Sequence, residues 1–441
     1  MVKEIFELAF KKKVPQQLVI QMTDRCNASC PQCGMRRGER FKRSTLEADE
    51  LRRVIDAAAE RGVQSLSFTG GEPLLFLDTL CDLIDYAGAA GIRYIRTGTN
   101  GYLFRKRVND DDFNYRVNTV AEKLAYTSLR NFWISIDSAH PEIHESMRGF
   151  DGLIDGIRTA LPIFHAHGLY PSANLGINRN LDGEKTRDAV LRRDGEAVFT
   201  DRFRKGFQRF YDHVIDLGFT IVNACYPMSI DAVCEDADDL QAVYAASAAD
   251  DIVSFSPAEK VLIFKALLET VPEYRDRIRI FSPRASLHAL VNQYSQGESM
   301  AYPCRGGIDF FFIDARDGNT YPCGYRGNDN FGKFWDIDWE RVPRQASCRK
   351  CDWECFRDPS ELFGPFLDLF RAPGSLIKRL IHDPGFFSLW VSDLRYYSAC
   401  SLFDGRSCPR PRKLRPYAAR HRQAESDSLK REETYRYVGE Y

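Results

Sequence analysis

No stretch of the 441-residue chain approaches the run of about 18 apolar residues that a membrane-spanning helix needs. The segment from Met1 to Val14 is lysine-rich and has no small-residue cleavage site, so secretion is not expected. Net charge is almost absent: 61 Lys and Arg stand against 62 Asp and Glu. Such a balance gives no support to a surface that binds nucleic acid along its length. Thirteen cysteines are too few for a disulfide scaffold in a chain of this size. There is no internal repeat. At about 150 residues per domain, the length implies two or three domains.

The cysteines are few but clustered. Cys26, Cys30 and Cys33 fall within eight residues, and so do Cys348, Cys351 and Cys355. Cys304 and Cys323 stand apart among turn residues. In a large chain without a secretion signal, clusters of this kind point to metal rather than disulfides, and to a cytoplasmic protein.

Between Gln17 and about Ala224, short apolar strands alternate with longer helical patterns. The expected strands are Leu18–Met22, Ser65–Thr69, Tyr94–Thr97, Phe132–Asp137, Ser172–Ile177 and Phe219–Ala224. This alternation predicts an α/β fold: parallel strands with helices outside. Six units are too few for a complete eight-fold barrel and suit a partial one. In such folds the chemistry gathers where strands end. Residues 236–303 read as a helical connection, with Leu240–Ala249 and Pro257–Thr270 clearest. From Cys304 to Asp358 turn residues and cysteines crowd short strand-like pieces such as Phe310–Asp314, as in a metal-organised module. The expected organisation is thus an amphipathic segment at 1–15, a core at 16–235, the connection at 236–303, a cysteine-rich module at 304–358 and a helical, basic extension at 359–441.

Cys26-x3-Cys30-x2-Cys33 follows the first strand. Three thiolates on one loop can hold three irons of a cubane cluster and leave the fourth iron open to a small molecule. Zinc is the alternative, but closed zinc sites use four ligands, and no fourth Cys or His lies nearby. About 37 residues later, Gly70-Gly71-Glu72-Pro73 ends the second strand. Glycines there admit close approach of a ligand. Their carbonyls and the Glu72 carboxylate would accept hydrogen bonds from an ammonium group.

This pairing resembles the radical SAM superfamily, whose members carry a C-x3-C-x2-C loop after the first strand of a partial (β/α)6 barrel and a GGE motif after the second. Thr99-Asn100-Gly101, Ser135-Ile136-Asp137 and His144-Glu145-Ser146-Met147-Arg148-Gly149 resemble further segments of the family, so the likeness spans about 220 residues. It implies that Cys26, Cys30 and Cys33 ligate a [4Fe–4S] cluster and that S-adenosylmethionine chelates the open iron. Gly70, Gly71, Glu72 and Pro73 would align its amine, with Asn100, Ser135, Asp137 and Asn174 or Asn178 as further contacts. It also implies reductive cleavage to a 5′-deoxyadenosyl radical that abstracts hydrogen from a small molecule, lipid or peptide. A low-potential donor of flavodoxin or ferredoxin type would supply the electron. Gln32 departs from the family, which usually has an aromatic residue before the third cysteine. Adenine contact is therefore expected from Met35 or from Ala224–Met228.

Cys304, Cys323, Cys348, Cys351 and Cys355 give five candidates for four ligand positions. They resemble the SPASM and twitch auxiliary domains, which implies one auxiliary [4Fe–4S] cluster held by Cys304, Cys323, Cys348 and Cys351, with Cys355 spare or a replacement. Other readings are a non-catalytic electron carrier and a zinc-binding interaction module. The N-terminal segment and Phe363–Leu394 are amphipathic. Packing on the barrel is the first reading for both, and peripheral contact with a membrane or a lipid-like substrate the second.

Overall fold

The computed structural model describes residues 14, 16–33, 42–227, 240–241, 243, 251–296 and 300–418. Its first half alternates strand and helix. β1 (Gln16–Thr23) leads to α1 (Ala48–Arg61), β2 (Val63–Gly70) to α2 (Leu77–Ala89), and β3 (Tyr94–Thr99) to α3 (Phe113–Ala125). β4 (Leu129–Ser135) is followed by α4 (Pro141–Arg148) and α5 (Leu153–Ala166). β5 (Ser172–Gly176), α6 (Leu191–Leu217) and β6 (Ile221–Cys225) complete the expected set.

Periodicity explains these elements. In α1 the buried residues Leu51, Val54, Ile55 and Ala58 recur every three or four positions and form one stripe. Gly62, at a φ of 84°, ends the helix in a conformation that side chains resist. Along the strands the period is two. Leu66 and Phe68 of β2, Phe132 and Ile134 of β4, and Ala173 and Leu175 of β5 pack outward into the main apolar core. The alternate residues Ser67, Thr69, Asn131, Trp133, Ser172 and Asn174 line an internal cavity. The barrel is therefore greasy between strands and helices, and its interior mixes polar side chains with apolar ones.

The sheet is not closed. Among the described residues it has nine strands in the order β7-β6-β5-β4-β3-β2-β1-β8-β9, with every neighbouring pair parallel except β8 and β9. Three strands extend the six read from sequence. After α7 (Pro257–Tyr274), the two-residue β7 (Arg279–Ile280) adds to the β6 edge. Past α8 (Arg284–Gln296), β8 (Phe310–Ile313) pairs with Gln17–Ile20 of β1. β9 (Thr320–Tyr321) then forms an antiparallel hairpin with β8. The cysteine-rich region thus shares the sheet of the barrel, because the apolar run of β8 covers a β1 edge that would otherwise expose unpaired backbone.

The expected helix Leu240–Ala249 is corrected at its described end. Gln241 bridges Arg326, and its backbone bonds to Tyr325 and Gly327. Side pairing there outcompetes local helix formation, and the Val243 amide continues it to the Gly324 carbonyl; residues 242 and 244–249 lie outside the described residues. So do the segment 1–13 and residues 419–441 of the extension. β4 also ends at Ser135, which leaves Asp137 beyond the strand. The described extension forms α9 (Glu354–Arg371), α10 (Pro373–His382) and α11 (Pro384–Ala399). Among the described residues no helix is long and apolar enough to cross a membrane.

Candidate active site

At the carboxyl end of β1, the chain turns into the loop that carries Cys26, Cys30 and Cys33. Asp24 anchors its start by accepting from the Ser44 amide at 2.6 Å, and the Cys33 amide closes a turn onto the Cys30 carbonyl at 3.1 Å. Cys30 is buried, and its neighbours are half-buried. Burial pushes the Cys30 thiol up to about 11, despite the nearby Arg148. Three soft sulfur donors on one loop are the donor set of an iron–sulfur cluster. Among the described residues, no three His, Cys, Asp or Glu side chains converge closely enough for a single metal ion.

The glycine–glutamate turn lies against this loop. The Gly71 amide donates to the Thr23 carbonyl at 2.8 Å and the Glu72 amide to the Arg25 carbonyl at 2.9 Å. A Cβ on Gly70 would sit 2.1 Å from the Thr23 oxygen, and one on Gly71 2.1 Å from the Arg25 oxygen. The glycines are thus required where two backbones touch, a reason additional to ligand approach. Pro73 opens the single turn Pro73–Phe76, where its missing N–H costs nothing.

Glu72 is fully buried, and its oxygens accept from the Leu74 amide (3.1 Å), the Thr99 hydroxyl (2.8 Å) and the Asn100 amide (2.7 Å). It locks the loop after β3 in place. Asn100 in turn donates to the Asn27 side chain at 2.9 Å, with Cys26 Sγ 3.8 Å away. One buried carboxylate therefore registers three loops.

Asp137 is likewise occupied. Arg148 grips its carboxylate through Nε and a terminal nitrogen, at 2.6 and 2.8 Å, and His144 lies 3.4 Å away. Burial alone would raise this carboxyl, but Arg148 and His144 outweigh it and hold it well below the usual range. The other terminal nitrogen of Arg148 points to Cys30 Sγ at 3.8 Å. The motif residue Arg148, to which sequence reading gave no role, thus links the β4 end to the cysteine loop. Asn178 is spent on the backbone carbonyls of Asp137 and Gly176. Ser135 is half-buried and in register with Asn174. Of the expected adenine contacts, Ala224 packs into the outer core and the Tyr226 hydroxyl meets Asp358, so neither is turned inward; Met35 and Met228 lie outside the described residues.

Inside the strands runs a lumen of about 230 Å³. Asn174, Asn223 and Cys225 line it on one side, where the Cys225 thiol donates to Asn174 Oδ1 at 3.3 Å. Trp353, Glu354 and Cys355 enter from the start of α9. A separate small pocket is lined by Cys304, Cys323, Cys348 and Cys351. There the Cys304 amide donates to the Cys348 carbonyl at 2.7 Å. The Gly306 and Tyr325 amides point at the sulfurs of Cys304 and Cys323, each at 3.4 Å. Cys355 is not in this set; its thiol opens to the lumen and donates to Glu354 Oε1 at 3.5 Å. Helix geometry separates them, since Cys351 precedes α9 while Cys355 lies in its first turn. Sequence spacing missed Cys225, Glu354 and Arg96; their inward register on β6, α9 and β3 is the signal that finds them.

Residues 20–178 match the family model described as the radical SAM superfamily. An AdoMet-dependent heme synthase of Methanosarcina barkeri is 24% identical over 355 residues, which cover 79% of this chain and 87% of that protein. A GTP 3′,8-cyclase of Vibrio parahaemolyticus is 30% identical over 168 residues, 37% of this chain and under half (46%) of the cyclase. Among solved structures, Streptococcus suis SuiB bound to S-adenosylmethionine aligns at a TM-score of 0.46 and 15% identity, covering 73% of this chain and 64% of SuiB. A second, anSMEcpe with bound AdoMet and a peptide, gives 0.47 and 17%, covering 74% and 79%.

Proposed function

The chain belongs to the radical SAM superfamily and is an enzyme, and from that premise we propose that Cys26, Cys30 and Cys33 hold its radical-generating [4Fe–4S] cluster. When bound, that cluster and S-adenosylmethionine supply a 5′-deoxyadenosyl radical, which takes a hydrogen atom from a substrate. The carrying observation is the meeting of three loops at one end of the lumen: the cysteine loop, the Gly70–Pro73 turn and the Asn100 loop.

The chain's own residues divide the work. Gly70 and Gly71 present backbone without side-chain obstruction, while Glu72 acts from behind as a positioning residue. Arg148, neutralised by Asp137, offers a donor to the Cys30 sulfur and favours its thiolate form. Ser135 and Asn174 lie on adjacent strands on the way into the lumen and are the polar contacts we assign to the nucleotide. The strand walls of the lumen limit the access of water to a reactive centre.

We assign one auxiliary [4Fe–4S] cluster to Cys304, Cys323, Cys348 and Cys351, which line a common cavity, and exclude Cys355 from it. A radical SAM enzyme needs a reductant and a substrate. A flavodoxin- or ferredoxin-type donor suits the first, and a cytoplasmic setting suits exposed thiolate chemistry. For the peripheral membrane reading, support comes from α10, which buries no residue and exposes Ile377 and Ile381.

Anaerobic reconstitution tests the assignment. The wild type is expected to hold about eight irons per chain and to release 5′-deoxyadenosine when given dithionite and S-adenosylmethionine. The Cys26→Ala/Cys30→Ala/Cys33→Ala variant should keep about four irons and release none. Nucleoside release by that variant would overturn the ligand assignment.

A further inference from the structure

Arg96 stands on β3 with Ile95 and Thr97 packed into the protein on either side, so strand alternation turns it inward. Its Nε donates to Ser67 Oγ on β2 at 2.5 Å. That bond leaves both terminal nitrogens of the guanidinium for another acceptor. Among the described residues Arg96 forms no ion pair, and it is the one Lys or Arg lining the lumen. Glu354 is the one acid lining it, and no ion pair joins the two. Much of the remaining wall is apolar: Val19, Trp133, Ile221, Phe281, Phe312 and Trp353.

A cation held among rings and aliphatic side chains loses hydration that a single hydroxyl does not replace. Arg148 has Asp137 and Arg275 has Asp393 at 2.5 Å, while the buried Arg279, which has no ion pair among the described residues, directs its nitrogens to the Thr220 and Asp404 carbonyls and the Thr220 hydroxyl. Among the described residues no carboxylate answers Arg96, so its two terminal nitrogens are open to an anion that enters the lumen. A planar fork with two free N–H edges matches the paired oxygens of a carboxylate or a phosphate.

Position separates this anion from S-adenosylmethionine. Arg96 lies three residues before Thr99, about 10 Å down the strand from the loops that meet the cysteines. From the Thr99 level to Tyr94 the lumen wall runs about 17 Å, room for a small organic molecule beneath the nucleotide.

We propose that Arg96 anchors an anionic group of the substrate, a carboxylate or a phosphate monoester, at the deep end of the lumen. Asn131, level with Arg96, Asn223 and the rings hold its uncharged body. The proposal rests on the radical SAM reading of the same lumen and names the substrate class.

Isothermal titration of the anaerobically reconstituted holoenzyme with hexanoate, hexyl phosphate, 1-hexanol and hexylammonium tests it. The wild type should bind one of the two anions at least about tenfold more tightly than hexanol, with hexylammonium weakest. Which anion wins identifies the group. Arg96→Gln should reduce that anion to the affinity of hexanol, and Arg96→Lys should retain part of the preference. Circular dichroism melting establishes that each variant is folded; should Arg96→Gln not fold, the wild-type series and Arg96→Lys decide alone. Equal binding of anions and hexanol by the wild type, or an unchanged anion preference in Arg96→Gln, overturns the anchor. Because binding is read without turnover, an enzyme that releases 5′-deoxyadenosine yet shows no anion preference defeats only this inference. One that prefers anions but releases no nucleoside defeats only the radical reading.

Discussion

Glu72 shows how a single buried group can register a site through its hydrogen bonds to neighbouring loops. Burial outweighs its three donors and pushes its carboxyl from 4.5 up to about 7. An acid raised in this way binds its proton more tightly in the folded state than in the unfolded one. Its contribution to stability is therefore greatest below pH 4.5, falls as pH rises from 4.5 to 7, and is level above. The span corresponds to about 3 kcal/mol. In Glu72→Gln this pH dependence should vanish. The amide NH2 would also oppose one of the donors, costing about 1–3 kcal/mol at low pH. Thermal melts of both proteins at pH 5 and pH 7.5 check it; parallel curves would show that Glu72 does not titrate.

Between elements, the decisive contact is backbone against backbone where β1 and β2 end. Gly71→Ala would set a Cβ 2.1 Å from the Arg25 oxygen and 2.5 Å from its carbon, neither of which belongs to a flexible side chain. The loops must part, breaking the bonds from Gly71 to Thr23 and from Glu72 to Arg25. The expected cost is about 2–4 kcal/mol, with loss of iron from the first cluster. Gly91→Ala serves as a comparison, since a Cβ there meets nothing within 4 Å and only its φ of 97° resists. That change should cost about 1 kcal/mol and leave iron content unaltered. Iron per chain and the thermal midpoint of each variant measure the difference.

On the scale of the whole molecule, the C-terminal region closes the barrel's lower end. The Tyr94 hydroxyl donates to the Phe403 carbonyl at 3.3 Å. Gly405 exchanges backbone bonds with Arg130 and Tyr170, both at 2.7 Å. Arg406 spreads its guanidinium over the carbonyls of Leu124, Ala125, Thr127 and Leu129 at 2.7–3.0 Å. The segment is held against its own preference: Ser401, Leu402 and Phe403 all have φ between 54° and 58°. Arg406→Ala should therefore lower stability by about 2–4 kcal/mol. It should also speed hydrogen exchange at the Tyr170 amide, which is bonded to Gly405. Unchanged exchange there would mean that the closure does not depend on Arg406.

The sequence alone determined the six alternating strands and their helices, because period-two and period-3.6 burial are local patterns that survive in one dimension. It also marked the cysteine triplet and the glycine–glutamate turn, whose residue types are demanded by sulfur chemistry and by backbone contact. It did not determine which strands would flank those six. β7 is two residues long, and β8 joins β1 across nearly 300 residues, a pairing decided by an exposed sheet edge rather than by any local signal. Nor did spacing distinguish Cys355 from Cys351. Four residues apart in sequence, they face different cavities because α9 begins between them. The inward direction of Arg96, and the hydrogen bonds of Glu72 and Asp137 to their neighbours, likewise follow from how distant segments pack.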